Sequence, residues 1–378
     1  MFSNGSMRIS LSPIEEIMER VTGDSINLAG GSPDPTTIPV NEIRNAFDWV
    51  CANYGSAAFV YPGAGGLTEL RNSLLAYTGS LGIEKGETVI TSGAQHALTL
   101  ISEVLLHDDR FVHEDPGFVE GVNSFLFSSR NQVPITVDGR GLNTNEFEEI
   151  LKKGATPKAA YVVPTCQNPT GTIMDEDRRK HLVELAERYD FIIIEDDPYR
   201  PVSHENPTPL YNMASDRVVY VGSLSKILAP GLRIGFVLTR NRALAERVKV
   251  LEQLDFSIST SNQLLTARLL STGIVNSRIP ELREKYRRKL RILLDGLADS
   301  GIKTVYEPRA GFFTLVDVGQ DARDVAERAL SRGVATVPAT HFYYRTKPKN
   351  YLRLSIGPAA QEKIEEGVRI LKQSLLAR

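Results

Sequence analysis

The sequence predicts a doubly wound α/β protein, in which a large, mostly parallel sheet is covered by helices on both faces and a smaller α+β domain sits beside it. Three observations carry this. From about residue 88 onward, short β-branched runs alternate with longer segments of helical period. After Ser277 that alternation gives way to one long charged helix and a few short strands. The length, 378 residues, exceeds one ordinary core and falls short of three.

Taken in order, the predicted strands are TVIT (Thr88 to Thr91), RFVHE (Arg110 to Glu114), AAYVV (Ala159 to Val163), FIIIE (Phe191 to Glu195), VVYV (Val218 to Val221) and IGFVL (Ile234 to Leu238). Between them, QHALTLISEVLL from Gln95 and the segment from Asp175 to Tyr189 repeat apolar residues three and four apart, as amphipathic helices do. Beyond Ser277 come the helix ELREKYRRKLRILLDGLADSG, short strands around Tyr306, from Phe312 to Val318 and from Tyr351 to Ser355, and a last helix from about Gln361. The expected division is a large domain over 44–277 and a small one over 278–378. The segment 1–43 precedes the alternation and is expected to pack with the small domain. No internal repeat or low-complexity tract interrupts the chain.

Composition narrows the partners. The 46 acidic and 44 basic residues nearly cancel, to a formal net charge of −2, and no long basic block is present. Nucleic acid and anionic membrane are therefore poor candidates. Cys51 and Cys166 lack the spacing of a metal site and are too few for a disulfide framework, which points to a reducing compartment. The first residues carry no basic start followed by an apolar stretch, and no apolar run is long enough to span a bilayer. A soluble cytoplasmic protein is expected.

In such sheets ligands collect at the carboxyl ends of the strands. After TVIT comes Ser92-Gly93-Ala94-Gln95, a glycine turn opening a helix. Free N–H groups and the helix dipole there suit a phosphate, although a plain strand-to-helix turn reads the same way. After RFVHE, Asp115-Pro116-Gly117-Phe118 brings an aromatic ring to the same end, as a stacking surface or as core. After AAYVV, the Asn-Pro and Thr-Gly of QNPTG set a tight turn and leave the Asn168 amide free to donate. FIIIE ends in Asp196-Asp197-Pro198-Tyr199; a carboxylate at the end of so apolar a strand needs a cation, and of the two acids Asp197 reads as the one facing solvent. After VVYV comes Gly222-Ser223-Leu224-Ser225-Lys226 and, seven residues on, Arg233. A lysine among small residues beside a buried strand loses proton affinity by desolvation and becomes a nucleophile towards aldehydes. Arg233 supplies a cation for the phosphate. A lone lysine is ordinarily a surface residue, and only its company argues otherwise.

Together, in chain order, LAGGSPDP, FVYPGAGGLTELR, SGAQHA, EDPGF, QNPTG, EDDPY, SLSK, GLRIG and YLRLS resemble the fold type I pyridoxal-5'-phosphate (PLP) enzymes, specifically the class I/II aminotransferases, from about Gly30 to Ser355. The resemblance implies that Lys226 holds PLP as a Schiff base and moves the substrate α-proton. It implies further that Asp196 pairs with the pyridine nitrogen, and that Asn168 and Tyr199 donate to the phenolic oxygen while Phe118 stacks on the ring. Ala94, Gln95, Ser223, Ser225 and Arg233 resemble the phosphate holders, with Arg233 as a buried partner. Arg353 resembles the residue that binds the substrate α-carboxylate, with Gly31 giving close backbone approach. Tyr61 resembles a tyrosine that reaches the neighbouring subunit's phosphate, which implies a homodimer.

The implied reaction moves an amino group from an amino acid to a 2-oxo acid such as 2-oxoglutarate. LAGGSPDP and the short link from Lys226 to Arg233 look like the kynurenine, 2-aminoadipate and aromatic branch. Members that take acidic substrates often carry an early arginine where this chain reads Ser12-Pro13-Ile14-Glu15-Glu16, so an aromatic or other non-acidic donor is expected, with Arg8 or Arg20 as the residues that would reverse this. A PLP lyase or synthase on the same scaffold is the alternative. An aminotransferase-like effector of a transcription regulator is a second, disfavoured by the lack of a basic patch.

Overall fold

Strand direction decides which chain segments meet. In the computed structural model, which describes residues 2–214 and 216–376, the strands are β1 (Ile26–Asn27), β2 (Glu87–Ser92), β3 (Phe111–Asp115), β4 (Gln132–Asp138), β5 (Gly141–Leu142), β6 (Ala159–Val162), β7 (Ile192–Asp196), β8 (Val218–Ser223), β9 (Ile234–Thr239), β10 (Lys303–Thr304), β11 (Phe313–Asp317), β12 (Val334–Ala335), β13 (Val337–Pro338) and β14 (Tyr351–Ser355). Eight of them form one sheet in the order β2-β9-β8-β7-β6-β3-β4-β5. The five from β8 to β4 run parallel, while β9 is antiparallel to both its neighbours.

From β6 the chain steps outward through β7 to β8, and from β3 it steps the other way to β4. The order therefore reverses between β3 and β6, and the crevice beyond their carboxyl ends is where such sheets bind ligands. The central strands are buried on both faces: Ala159 to Val162 and Ile193 to Asp196 are all at or near zero exposure. That explains why they read as unbroken apolar runs. Apolar cores fill both sides, one around Ile90, Val112 and Phe191, the other around Val89, Phe111 and Ile194.

A second sheet, β10-β11-β14-β13, is antiparallel throughout and seats Arg353 opposite Leu315 and Val337. The N-terminal strand β1 pairs in parallel with β12. The segment before it also touches the large sheet's side of the molecule, since Arg8 pairs with Asp108, in the loop before β3, at 3.2 Å.

Three details differ from expectation. Strands β4 and β5 form where none is predicted; β4 contains Pro134, a residue that argues against a strand, and it is tolerated because the outer neighbour β5 reaches only Val137 and Asp138. The expected strand around Tyr306 is instead β10, ending at Thr304. The long helix begins at Ile274 and runs to Ser300 through Pro280, with Val275, Ile279, Leu282 and Tyr286 buried on one face, which offsets the hydrogen bond the proline removes.

Candidate active site

The carboxyl ends of β2, β3, β6, β7 and β8 surround a cavity of about 370 Å³. Its wall includes Gly31, Ala94, Gln95, Phe118, Asn168, Asp196, Tyr199, Ser223, Ser225, Lys226, Arg233 and Arg353. Of the residues that the resemblance assigns to the cofactor and substrate, Tyr61 stands apart. It is 81 % exposed and lines a separate groove with Phe59 and Phe256.

Lys226 follows β8, and its Nζ donates to the Gly31 carbonyl at 2.9 Å. Burial lowers its pKa to about 8; Asp196 opposes that shift, while Arg233 and Arg353 reinforce it. Asp196 ends β7 and is 2 % exposed. Its Oδ2 accepts from the Tyr161 hydroxyl at 2.9 Å, and its Oδ1 is buried without a hydrogen-bond partner. Burial raises its pKa to about 7; the Tyr161 hydrogen bond and Lys226 pull it down, and Asp197 pushes it further up.

Asp197 corrects the expectation of a solvent-facing acid. It is 1 % exposed and ion-paired with the fully buried Arg200, while the adjacent Glu195 lies 3.8 Å from the fully buried Arg179. Glu195 and Asp197 thus belong to a buried charge network beneath the site, and each has a cation because an unpaired buried charge is too costly to keep.

Arg353 is 1 % exposed and sandwiched between Phe313 and Phe342, each ring centroid 4.8 Å from the guanidinium carbon. Its Nη1 donates to Asn168 Oδ1 at 3.1 Å and its Nη2 to the Ala29 carbonyl, while Nε is buried without a partner. Burial lowers its pKa to about 10. Asn168 accepts through Oδ1, so its amide protons remain available. Tyr199 is buried edge-on to Phe312 and Phe313, and burial drives its pKa upward.

At the other end, the helix Gly93–Leu105 points its N-terminus into the cavity. Its first-turn N–H groups lack intrahelical partners by construction. Gly235 on β9 packs against that turn so closely that a Cβ there would lie 2.3 Å from the Gly93 carbonyl carbon. Ser223 Oγ bonds Ser225 Oγ at 3.0 Å and accepts from the Ser225 N–H at 3.1 Å. Arg233 sits at φ +55° and donates to the Ser92 carbonyl at 3.0 Å. It is exposed, which corrects the expectation of a buried arginine: its backbone turns just before β9 and leaves the guanidinium lying over Gly93.

Sequence reasoning missed Tyr161, the partner of Asp196, and Glu120, which also lines the cavity. Neither Arg8 nor Arg20 lines it; Arg20 pairs with Glu327 at 2.6 Å. Among the described residues there is no cluster of side chains that could hold a metal ion, and no helix is long and apolar enough to cross a membrane.

The cavity asks for a ligand with a cationic or N–H edge to meet Asp196 Oδ1, an anionic end for the helix terminus and an electrophile for Lys226. The family model for "Aminotransferase class I and II" matches residues 23–371. This chain belongs to the class I and II aminotransferase family. It is 34 % identical to the aromatic-amino-acid aminotransferase 1 of Thermococcus litoralis over 99 % of this chain and 94 % of the relative. The crystal structure of Pyrococcus horikoshii kynurenine aminotransferase superimposes with a TM-score of 0.92 at 34 % identity, covering all of this chain and 97 % of that one. LysN, the α-aminoadipate aminotransferase of Thermus thermophilus, complexed with N-(5'-phosphopyridoxyl)-L-leucine, gives 0.91 at 30 %, covering 99 % and 97 %. This aminotransferase is a fold type I transaminase whose cofactor is pyridoxal phosphate, and the residues present fit that cofactor. Its pyridine N–H matches the orphaned Asp196 Oδ1, and its phosphate matches the glycine-tight helix terminus.

Proposed function

We propose that the enzyme transfers the amino group of an aromatic or other non-acidic amino acid to a 2-oxo acid, with Lys226 and Asp196 as its central pair. When bound, pyridoxal phosphate supplies the aldehyde that takes up the amino group and the ring that draws in electrons from the α-carbon. The chain supplies binding, orientation and proton movement. Lys226, held by the Gly31 carbonyl at 2.9 Å and with its pKa lowered to about 8, is the amine that joins the aldehyde. The same Nζ would be the base that takes the α-proton of a bound substrate. Asp196 Oδ1 would keep the pyridine nitrogen protonated. Asn168 and Tyr199 would donate to the phenolic oxygen, and Phe118 would offer its ring for stacking. Ala94, Gln95, Ser223, Ser225 and Arg233 would hold the phosphate. Arg353 takes the α-carboxylate through its free Nε edge, with Gly31 beside it, and so orients the α-hydrogen towards Lys226.

The observation that carries this reading is the buried, unpartnered Asp196 Oδ1 in one cavity with a buried lysine amine. Support for a non-acidic donor comes from Glu15 and Glu120 in the cavity wall and from the pairing of Arg8 and Arg20 elsewhere. We further propose a cytoplasmic homodimer in which Tyr61 reaches the partner's site; the exposed Phe59, Val60, Tyr61, Leu254 and Phe256 support an apolar contact there. In this reading the chain divides into a large domain over 44–277 and a small one over 278–378, with 1–43 packed on the latter.

Mixing the purified holoenzyme with single amino acids tests the proposal. Tyrosine, phenylalanine or tryptophan should release stoichiometric oxo acid in one turnover. A strong preference for glutamate or 2-aminoadipate would overturn the donor class.

A further inference from the structure

Glu120 is the second residue of the helix Val119–Ser128. An acid in a first helical turn has an ordinary reason to be there, because it complements the helix dipole. What surrounds this one goes further. Oε1 accepts from Ser12 Oγ at 2.5 Å, which ties the N-terminal segment across the cavity, and Oε2 is buried with no partner at all. The residue lines the same cavity as Lys226 and Arg353 and stabilises the charged form of both. The cationic side chains in that wall, among the described residues, are Lys226, Arg233 and Arg353. In the proposed reading Lys226 and Arg233 are committed to the cofactor and Arg353 to the α-carboxylate, and none is left for a second carboxylate on the substrate.

We propose that Glu120 is a specificity-determining residue: its carboxylate repels a distal carboxylate on either substrate and accepts a hydrogen bond from a neutral side chain that carries N–H or O–H. The inference rests on reading the cavity as the substrate site. One pocket serves both half-reactions, so the charge that excludes acidic donors also excludes dicarboxylic acceptors. Monocarboxylic oxo acids therefore rank above 2-oxoglutarate. The chemistry of the distal group is a phenol, an indole N–H, an aryl amine or a carboxamide.

An isosteric pair of unreactive ligands isolates the effect. Glutarate and glutaramate have the same length and differ only in whether the second terminus is charged. Calorimetric binding to the holoenzyme should show glutaramate binding at least about tenfold tighter than glutarate, since like charges held together in a partly desolvated pocket are strongly disfavoured. Glu120→Gln keeps the acceptor for Ser12 and removes the charge. It should shrink the preference to about twofold and raise kcat/KM for 2-oxoglutarate over pyruvate by about tenfold. A purely structural tether would move both ligands and both acceptors together, leaving the ratios unchanged, and that result overturns the proposal. Equal affinities in the wild type overturn it without any variant. Arg353→Gln should weaken both ligands; if it weakens neither, the reading of the cavity as the substrate site is what fails.

Discussion

Replacing Asp196 with asparagine should shift the apoenzyme and the holoenzyme in opposite directions. In the apoenzyme the carboxyl is buried against Tyr161 with one oxygen unpartnered, and its pKa rises from 3.8 to about 7. At about 1.4 kcal/mol per pH unit, that rise corresponds to roughly 4 kcal/mol of burial cost for the ionised form. The sign follows from linkage. An acid whose folded pKa lies above its unfolded value contributes stability that is fully present below pH 3.8 and lost as pH climbs through about 7. The carboxamide that replaces it would not titrate, so the variant apoprotein should gain on the wild type across that window and be more stable at pH 8. It keeps an acceptor for the Tyr161 hydroxyl. With cofactor bound the balance inverts, because the wild-type carboxylate then meets a cation, and removing one member of a buried pair costs about 3–5 kcal/mol. Cofactor affinity should therefore fall by at least two orders of magnitude. Chemical denaturation of both apoproteins at pH 5 and pH 8, paired with equilibrium dialysis against pyridoxal phosphate, reads both effects. An asparagine variant that gains no stability over the wild type between those pH values, or that binds cofactor as tightly, would refute the reasoning.

Three further outcomes are expected. Lys226→Ala should leave no turnover above background and no borohydride-stable cofactor adduct at that position by peptide mass mapping; near-normal turnover would remove the central assignment. Arg233→Ala should loosen the cofactor by about 1.5–3 kcal/mol, the range for a hydrogen bond to a charged group, and less at high salt because the guanidinium is exposed. Gly235→Ala places a Cβ 2.3 Å from the Gly93 carbonyl carbon and 2.6 Å from the Ala94 nitrogen, both backbone atoms that cannot step aside cheaply. It should cost about 1–3 kcal/mol in stability and weaken the cofactor as well, which a melting curve and a binding isotherm would show together.

How much of this was legible in the chain depends on where each signal comes from. The six predicted strands of the large sheet are found within a residue or two because burial on both faces writes them as apolar runs. Strands β4 and β5 left no such trace, since Pro134 argues against a strand and Gly141–Leu142 is too short to show a period. The motif residues after each strand gather in one cavity because the fold places carboxyl ends together, and sequence order alone suggests that much. Partners across the fold are a different matter. Tyr161 sits in a run that reads as core, and its hydroxyl finds Asp196 thirty-five residues away. Asp197 looked solvated because its cation, Arg200, lies in what reads as a loop. Glu120 had a sufficient local explanation in its helix, and only the cavity around it supplies another.

Arg353 reaches the cavity from the antiparallel sheet, whereas Lys226, Asp196 and the phosphate-end residues hang from the eight-stranded one. The anchor for one reactant and the mount for the other are therefore built on separate frameworks. In the proposed roles, variation along β11, β13 and β14 would alter the hold on the α-carboxylate that all substrates share, and substitutions along β7 and β8 the hold on the cofactor. A library aimed at new side chains would therefore start from neither sheet but from the helix that carries Glu120.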